Sequence, residues 1–369
     1  MIKDRALKAT ALQYLASKRA FPQLEVAVSP QVTTGSGGSR KAPPLTDVDV
    51  LGLIPDDFEA FRSLLIDCRT LKNQSPIARA FWLRGLMDEL NAKRGLCVLR
   101  GEKVEADHRI AAARLDVLLV TEEEFGLYID ATGGKANGVG AHAANVELWE
   151  SFFEVRSRYP SLAEAIEFST SYFWQPKTAA AAARRTLAVL RRLRGELDPA
   201  KAQHVAIVIN MAALFLIAMA GVVMNVFTSY LQPKVMHELS DALLMILYGG
   251  KETYDSLNAM RRLVKITNEP DQSEDLSLPE WDRFVQFVRE TLEAPTELAR
   301  APLILRELAW AHLSGSPDYG FAGILSTESP RAAKYALLGA EYLCRAAKLP
   351  PEFGTQIGDR LLAIQKARA

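Results

Sequence analysis

TDVDVLGLIPDDFEAFRSLLIDCRTLK, residues 46–72, reads as two short strands joined by an acidic turn. Asp47, Val48, Asp49, Val50 and Leu51 alternate polar with apolar, the period of a half-buried strand. Pro55, Asp56 and Asp57 supply turn chemistry. Ser63 to Arg69 (SLLIDCR) reads as the second strand. Its alternation puts Leu64, Ile66 and Cys68 on one face and Leu65, Asp67 and Arg69 on the other. Paired as neighbours, the strands bring Asp49 close to Asp67. Two carboxylates meeting at strand ends suit a hard divalent cation, which takes oxygen ligands and often only one or two protein carboxylates. A cation beside them can hold phosphate or orient water, as in metal-assisted phosphodiester cleavage. A hairpin with a solvated outer face fits the same residues.

Composition narrows the choice. The chain has 369 residues, about half of them hydrophobic, and a formal net charge of zero. That length allows two domains with real cores. With no overall positive charge, nucleic-acid binding would depend on local patches. Cys68, Cys97 and Cys344 are few, odd in number and set among apolar residues, so they read as reduced core thiols in a cytoplasmic protein. The N-terminal MIKDRALKATALQYLASKRAF is amphipathic and lacks the apolar core and cleavage site of a secretory signal. Val205 to Phe227 is long enough to span a bilayer, yet it carries Asn210 and Asn225 and lies among other helices. The expectation is a buried central helix and no membrane.

Outward from the acidic strands, Asp4 to Lys18 is expected as a helix and Leu24 to Ser29 as a first strand. A basic Gly/Ser-rich loop follows (TTGSGGSRK, residues 33–41), whose Arg40 and Lys41 are candidates for a nucleic-acid backbone. It does not fit the phosphate-cradling G-x-x-x-x-G-K-[ST] pattern. Pro76 opens a helix over Ile77 to Asn91, with Leu83, Leu86, Met87 and Leu90 inward and Arg79, Arg84 and Lys93 outward. Leu96 to Leu99, Glu105 to Leu115 and Val117 to Val120 continue as strand, helix and strand. The glycine-rich Gly133 to Gly140 then marks a boundary. The expected organisation is an α/β domain over 1–132, a linker over 133–144 and an all-helical domain over 145–369. Short apolar strands beside crossover helices imply a mixed sheet covered on both faces.

The run Thr46-Asp47-Val48-Asp49-Val50-Leu51-Gly52 resembles the T-x-[IV]-D-V-L-G strand of the restriction-endonuclease-like PD-(D/E)xK nucleases, in the Mrr-like and archaeal-resolvase-like branch. Ile66-Asp67-Cys68-Arg69-Thr70 resembles that family's ECKT-type strand, and the helix–strand–helix–strand continuation fits as well. The resemblance covers roughly the first 130 residues. It implies a restriction-endonuclease-like mixed sheet flanked by helices. It also implies Asp49 and Asp67 as ligands of Mg²⁺ or Mn²⁺, Arg69 at the lysine position, and Lys72 within reach as a substitute. Arg69 departs from the pattern, because a guanidinium keeps its charge and does not readily serve as a base. The family's additional helix glutamate is absent too. Asp4, Gln13 and Glu25 are the available substitutes.

Beyond Asn145 almost every segment reads as helix. Thr178 to Leu197 has the densest basic surface, with Arg184 and Arg191 two turns apart, and Arg185 and Arg192 likewise. These four are the first candidates for phosphate contacts, unless acidic neighbours neutralise them. The five histidines show no metal-ligand spacing, and no G-x-S-x-G elbow is present. The expected function is a metal-dependent DNA endonuclease, or a DNA-binding protein with a degenerate site. The alternative is an inactive nuclease fold used as an interaction or assembly module, with a homodimer or protein partner on the helical domain.

Overall fold

The computed structural model describes residues 2–29, 44–70, 75–100, 103–133, 140–175, 178–233, 235–268, 276–315 and 319–366. The N-terminal part runs α1 (Arg5–Ser17), β1 (Phe21–Val28), β2 (Thr46–Asp56), β3 (Ala60–Thr70), α2 (Pro76–Glu89), β4 (Arg94–Arg100), α3 (Ala106–Ala113), β5 (Val117–Thr121) and α4 (Glu122–Ala131). The strands form one mixed sheet in sequence order. β1, β2 and β3 are antiparallel neighbours, whereas β3–β4 and β4–β5 pair in parallel. Parallel pairs need a crossover, and α2 and α3 supply it.

Register assigns the faces. Gly52 pairs with Leu64, and a Cβ on Gly52 would press into Leu15 of α1. Leu65, next along β3, points the other way and pairs with Gly95, where a Cβ would meet Leu83 and Met87 of α2. So α1 covers one face and α2 the other. Packing of Tyr14 against Phe125 and Tyr128 sets α4 on the α1 side.

The hairpin is longer than its alternation suggests. Pro55 and Asp56 lie in the ladder opposite Phe61 and Ala60, so the turn is residues 57–59. β1 starts at Phe21 and includes Pro22, tolerated on an edge strand because its missing N–H faces no partner. α4 follows β5 directly, its start fixed by a capping box between Thr121 and Glu124.

The rest of the described chain is helical: α5 (Val146–Arg158), α6 (Ala163–Thr170), α7 (Ala179–Leu193), α8 (Ala202–Tyr230), α9 (Met236–Tyr248), α10 (Lys251–Asn268), α11 (Trp281–Thr291), α12 (Pro295–Ser314), α13 (Gly320–Glu328), α14 (Pro330–Ala346) and α15 (Pro351–Lys366). α8 is the axis. It is the one described helix long and apolar enough to cross a membrane, and it is almost wholly buried among α7, α12 and α14. Its Asn210 side chain donates to Ser169 Oγ at 3.1 Å, which satisfies part of the polar group burial would otherwise penalise. α12 continues through Pro302 and reaches β1, β2 and β3, so sheet and helices share one hydrophobic cluster.

Candidate functional site

The acids of β2 and β3 stand where the two strands part. The β2–β3 ladder ends at Val50–Ile66, one residue short of Asp49 and Asp67. The freed Cys68 N–H donates to Asp49 Oδ2 at 2.7 Å, so this carboxylate replaces the missing rung. Asp49 Oδ1 is 2.8 Å from the Lys8 ammonium, which also bonds Glu25. Lys8 comes from the buried stripe of α1, and its side chain is only 3% exposed. Glu25 has a left-handed backbone (φ 53) in mid-strand, and the β1–β2 register skips it. Such a conformation costs about 1–2 kcal/mol for a residue with a Cβ. The Glu25 carboxylate that this backbone carries meets Lys8.

Asp67 is closed off more completely. Arg79 of α2 forks onto it, Nε to Oδ2 and Nη2 to Oδ1, both at 2.6 Å. Arg79 also lies over the Trp82 ring, 3.3 Å from its centroid. Arg69 projects the same way as Asp67, with Nε 3.6 Å from Oδ1. The outward orientation expected for Arg79 is therefore corrected. Its side chain is 10% exposed, because it sits one turn before Leu83 on the face of α2 that meets the sheet. Sequence reasoning misses both Lys8 and Arg79, although each stands at helical spacing from core leucines. Lys72, Arg40, Lys41 and the middle of the glycine-rich linker lie outside the described residues.

Burial is the largest influence on Asp49 and Glu25, and it raises both carboxyls above their usual range against the opposing pull of Lys8. The Asp67 charge pushes Asp49 further up, which shows how near the two acids lie. Burial would lower Lys8, but Asp49 and Glu25 together outweigh it and hold the ammonium above its usual value.

Three carboxylates (Glu25, Asp49, Asp67) thus meet three cations (Lys8, Arg69, Arg79). Both oxygens of Asp67 and both of Asp49 already have partners. Among the described residues no group of three or more His, Cys, Asp and Glu is placed to hold a metal ion. As arranged, the site does not fit a divalent cation, which would have to displace Lys8 or Arg79. Above it opens a cleft of about 940 Å³, lined by Lys8, Glu25, Asp47, Asp49 and Arg69 and walled by Glu150, Phe153 and Arg156 of α5. No protein-family model, curated protein or solved structure matches the chain.

The basic helix is only partly free. Arg184 stacks on Tyr248 at 5.0 Å, and Arg192 pairs with Glu164 of α6. Arg185, Arg191 and Arg194 are exposed, with no ion pair among the described residues. A second cleft, of about 840 Å³, lies at the other end of the strands over Leu64, Leu96 and Leu118. Its charged rim is paired, Arg62 with Asp56, Lys93 with Glu59 and Arg94 with Asp116, so it offers no converging reactive groups.

Proposed function

We propose that this chain is a restriction-endonuclease-like protein of the PD-(D/E)xK type whose cleavage site has become a metal-free ion-pair cluster, and that it binds DNA without cutting it. The fold part of this reading is supported by the order α1-β1-β2-β3-α2-β4, with the acids at the parting of β2 and β3. The loss of cleavage rests on one observation, the Arg79 fork that takes both oxygens of Asp67. A bidentate arginine–carboxylate pair with little solvent access is strong and geometrically specific. Phosphate contact is supported by exposed Arg185, Arg191 and Arg194 on α7. Exposed Leu257, Met260 and Leu263 on α10 support a protein partner on the helical side. Three buried, unpaired cysteines favour a reducing, cytoplasmic setting.

A second reading, an active nuclease, is favoured by the Lys8 ammonium beside Asp49, a lysine where Arg69 offers none. In that reading Mg²⁺ or Mn²⁺ would displace one of the internal cations. Two assays on one sample separate the readings: nicking of supercoiled plasmid with Mg²⁺ or Mn²⁺, and fluorescence anisotropy of a labelled duplex across a salt series. The expected result is salt-dependent binding without nicking. The Arg185→Ala/Arg191→Ala/Arg194→Ala variant should bind more weakly, its salt slope smaller by about 0.9 for each phosphate it no longer neutralises. Nicking that disappears in Asp49→Asn would establish the nuclease instead, and absence of any DNA binding would refute the DNA assignment.

A further inference from the structure

A lysine in the buried stripe of an amphipathic helix is costly unless carboxylates compensate it. Lys8 occupies such a position, between Leu7 and Ala11 and one turn from Leu12, all fully buried. Its ammonium sits between Asp49 and Glu25. Asp49 is already oriented by Cys68 N–H, and Glu25 is held in place by a left-handed backbone. Both carboxylates line the cleft of about 940 Å³, which gives water access to them. Asp67 is withdrawn from the same cleft by Arg79. Two fixed carboxylates with water on the open side are what a hard divalent ion requires, since Mg²⁺ and its analogues keep several waters and use one or two protein carboxylates.

We infer that the Lys8 ammonium stands in for a divalent cation, and that removing its charge opens a site for a hard divalent metal on Asp49 and Glu25. This rests on the reading of the cluster as a converted metal site. The arginine fork keeps Asp67 out of the opened site, so its ligands are the Lys8 pair and not the pair of acids that the strand motif alone would name. Without the ammonium, burial favours the protonated forms of Asp49 and Glu25, and a divalent ion that enters displaces those protons and supplies the missing positive charge. Glutamine at position 8 keeps a polar side chain, one atom shorter than lysine, while removing the charge, and it leaves the Asp67–Arg79 fork untouched.

The test uses the full chain as wild type, Lys8→Gln and Lys8→Gln/Asp49→Asn. Free Mn²⁺ is followed by electron paramagnetic resonance, and thermal melting is recorded with and without Mn²⁺. The single variant is expected to bind Mn²⁺ at least roughly tenfold more tightly than wild type, and to melt lower without the ion but recover with it. The double variant should neither bind Mn²⁺ nor respond to it. If wild type and Lys8→Gln both fail to bind, the inference falls while the cleavage-deficient reading stands. If wild type binds as tightly as the variant, the inference falls as well, and if it also nicks plasmid that reading falls with it. Should Lys8→Gln fail to fold in buffer, refolding from urea with and without Mn²⁺ replaces the melt. Recovery only with Mn²⁺ supports the stand-in role, and no recovery while the double variant folds refutes it. If neither variant folds even with Mn²⁺, a divalent ion does not replace the ammonium, and the inference is wrong.

Discussion

Arg79 and Arg306 are both removed from water, and they are held in opposite ways. Arg79 is matched by a carboxylate, both of its donating nitrogens on Asp67 at 2.6 Å. Arg306 of α12 is fully buried, with Phe21, Trp149 and Trp310 around it at 4.3–4.8 Å and one hydrogen bond, Nη2 to Gln23 at 3.0 Å. Its Nε and Nη1 have no hydrogen-bond partner, and burial pushes its pKa well down. Neighbouring Glu307 points elsewhere and accepts from the backbone N–H groups of His142 and Ala143 at 2.7 and 3.0 Å. One region neutralises charge with charge at the mouth of a cleft. The other dissolves a cation in aromatic rings and ties the helical part to the sheet. Pairwise matching at the cleft leaves both oxygens of Asp49 and of Asp67 with partners inside the protein. The ring cage around Arg306 is an architectural joint.

The comparison breaks most visibly by mutation. Arg79→Ala leaves buried Asp67 with only the half-exposed Arg69, 3.6 Å away, which should cost about 3 kcal/mol. Arg306→Met replaces a poorly partnered cation with an apolar chain of similar reach, and should change stability by about 1 kcal/mol or less in either direction. Urea unfolding of both variants measures the difference, and a larger loss at Arg306 would reverse the distinction.

A smaller effect comes from pH. Lys8 has a folded pKa above the usual lysine value of 10.5. Its contribution is therefore complete below pH 10.5 and is lost as pH rises through the folded value. Wild type should exceed Lys8→Gln in stability at neutral pH, and the gap should narrow only above pH 10.5. A gap that stays constant to higher pH would mean that Lys8 acts by packing alone.

Much of this is legible in residues 46–72. The alternation of Asp47–Leu51 and Ser63–Arg69 locates β2 and β3, and it puts Asp67 and Arg69 on one face as found. The partners of the acids are harder to read. A charged residue on an amphipathic helix is usually assigned to the solvent side, yet Lys8 is spaced four and seven residues from Leu12 and Leu15, and Arg79 four and seven from Leu83 and Leu86. Those intervals place both on the buried stripe, so the signal is present but easily overridden by charge. α4 carries one as well, the T-x-x-E run at Thr121–Glu124. The Glu25 conformation carries none, because a left-handed glutamate in a strand is imposed by its tertiary partners. The same holds for Arg192, whose partner Glu164 lies 28 residues away.

The central claim is that Lys8 and Arg79 already supply the counter-charge for Asp49 and Asp67. It is tested most directly by titrating Mn²⁺ into the wild-type chain at neutral pH and following the free ion by electron paramagnetic resonance. The prediction is that no ion is retained, and that Asp49→Asn gives the same curve as wild type. One ion retained per chain, and lost in Asp49→Asn, would contradict it and make these carboxylates a working metal site.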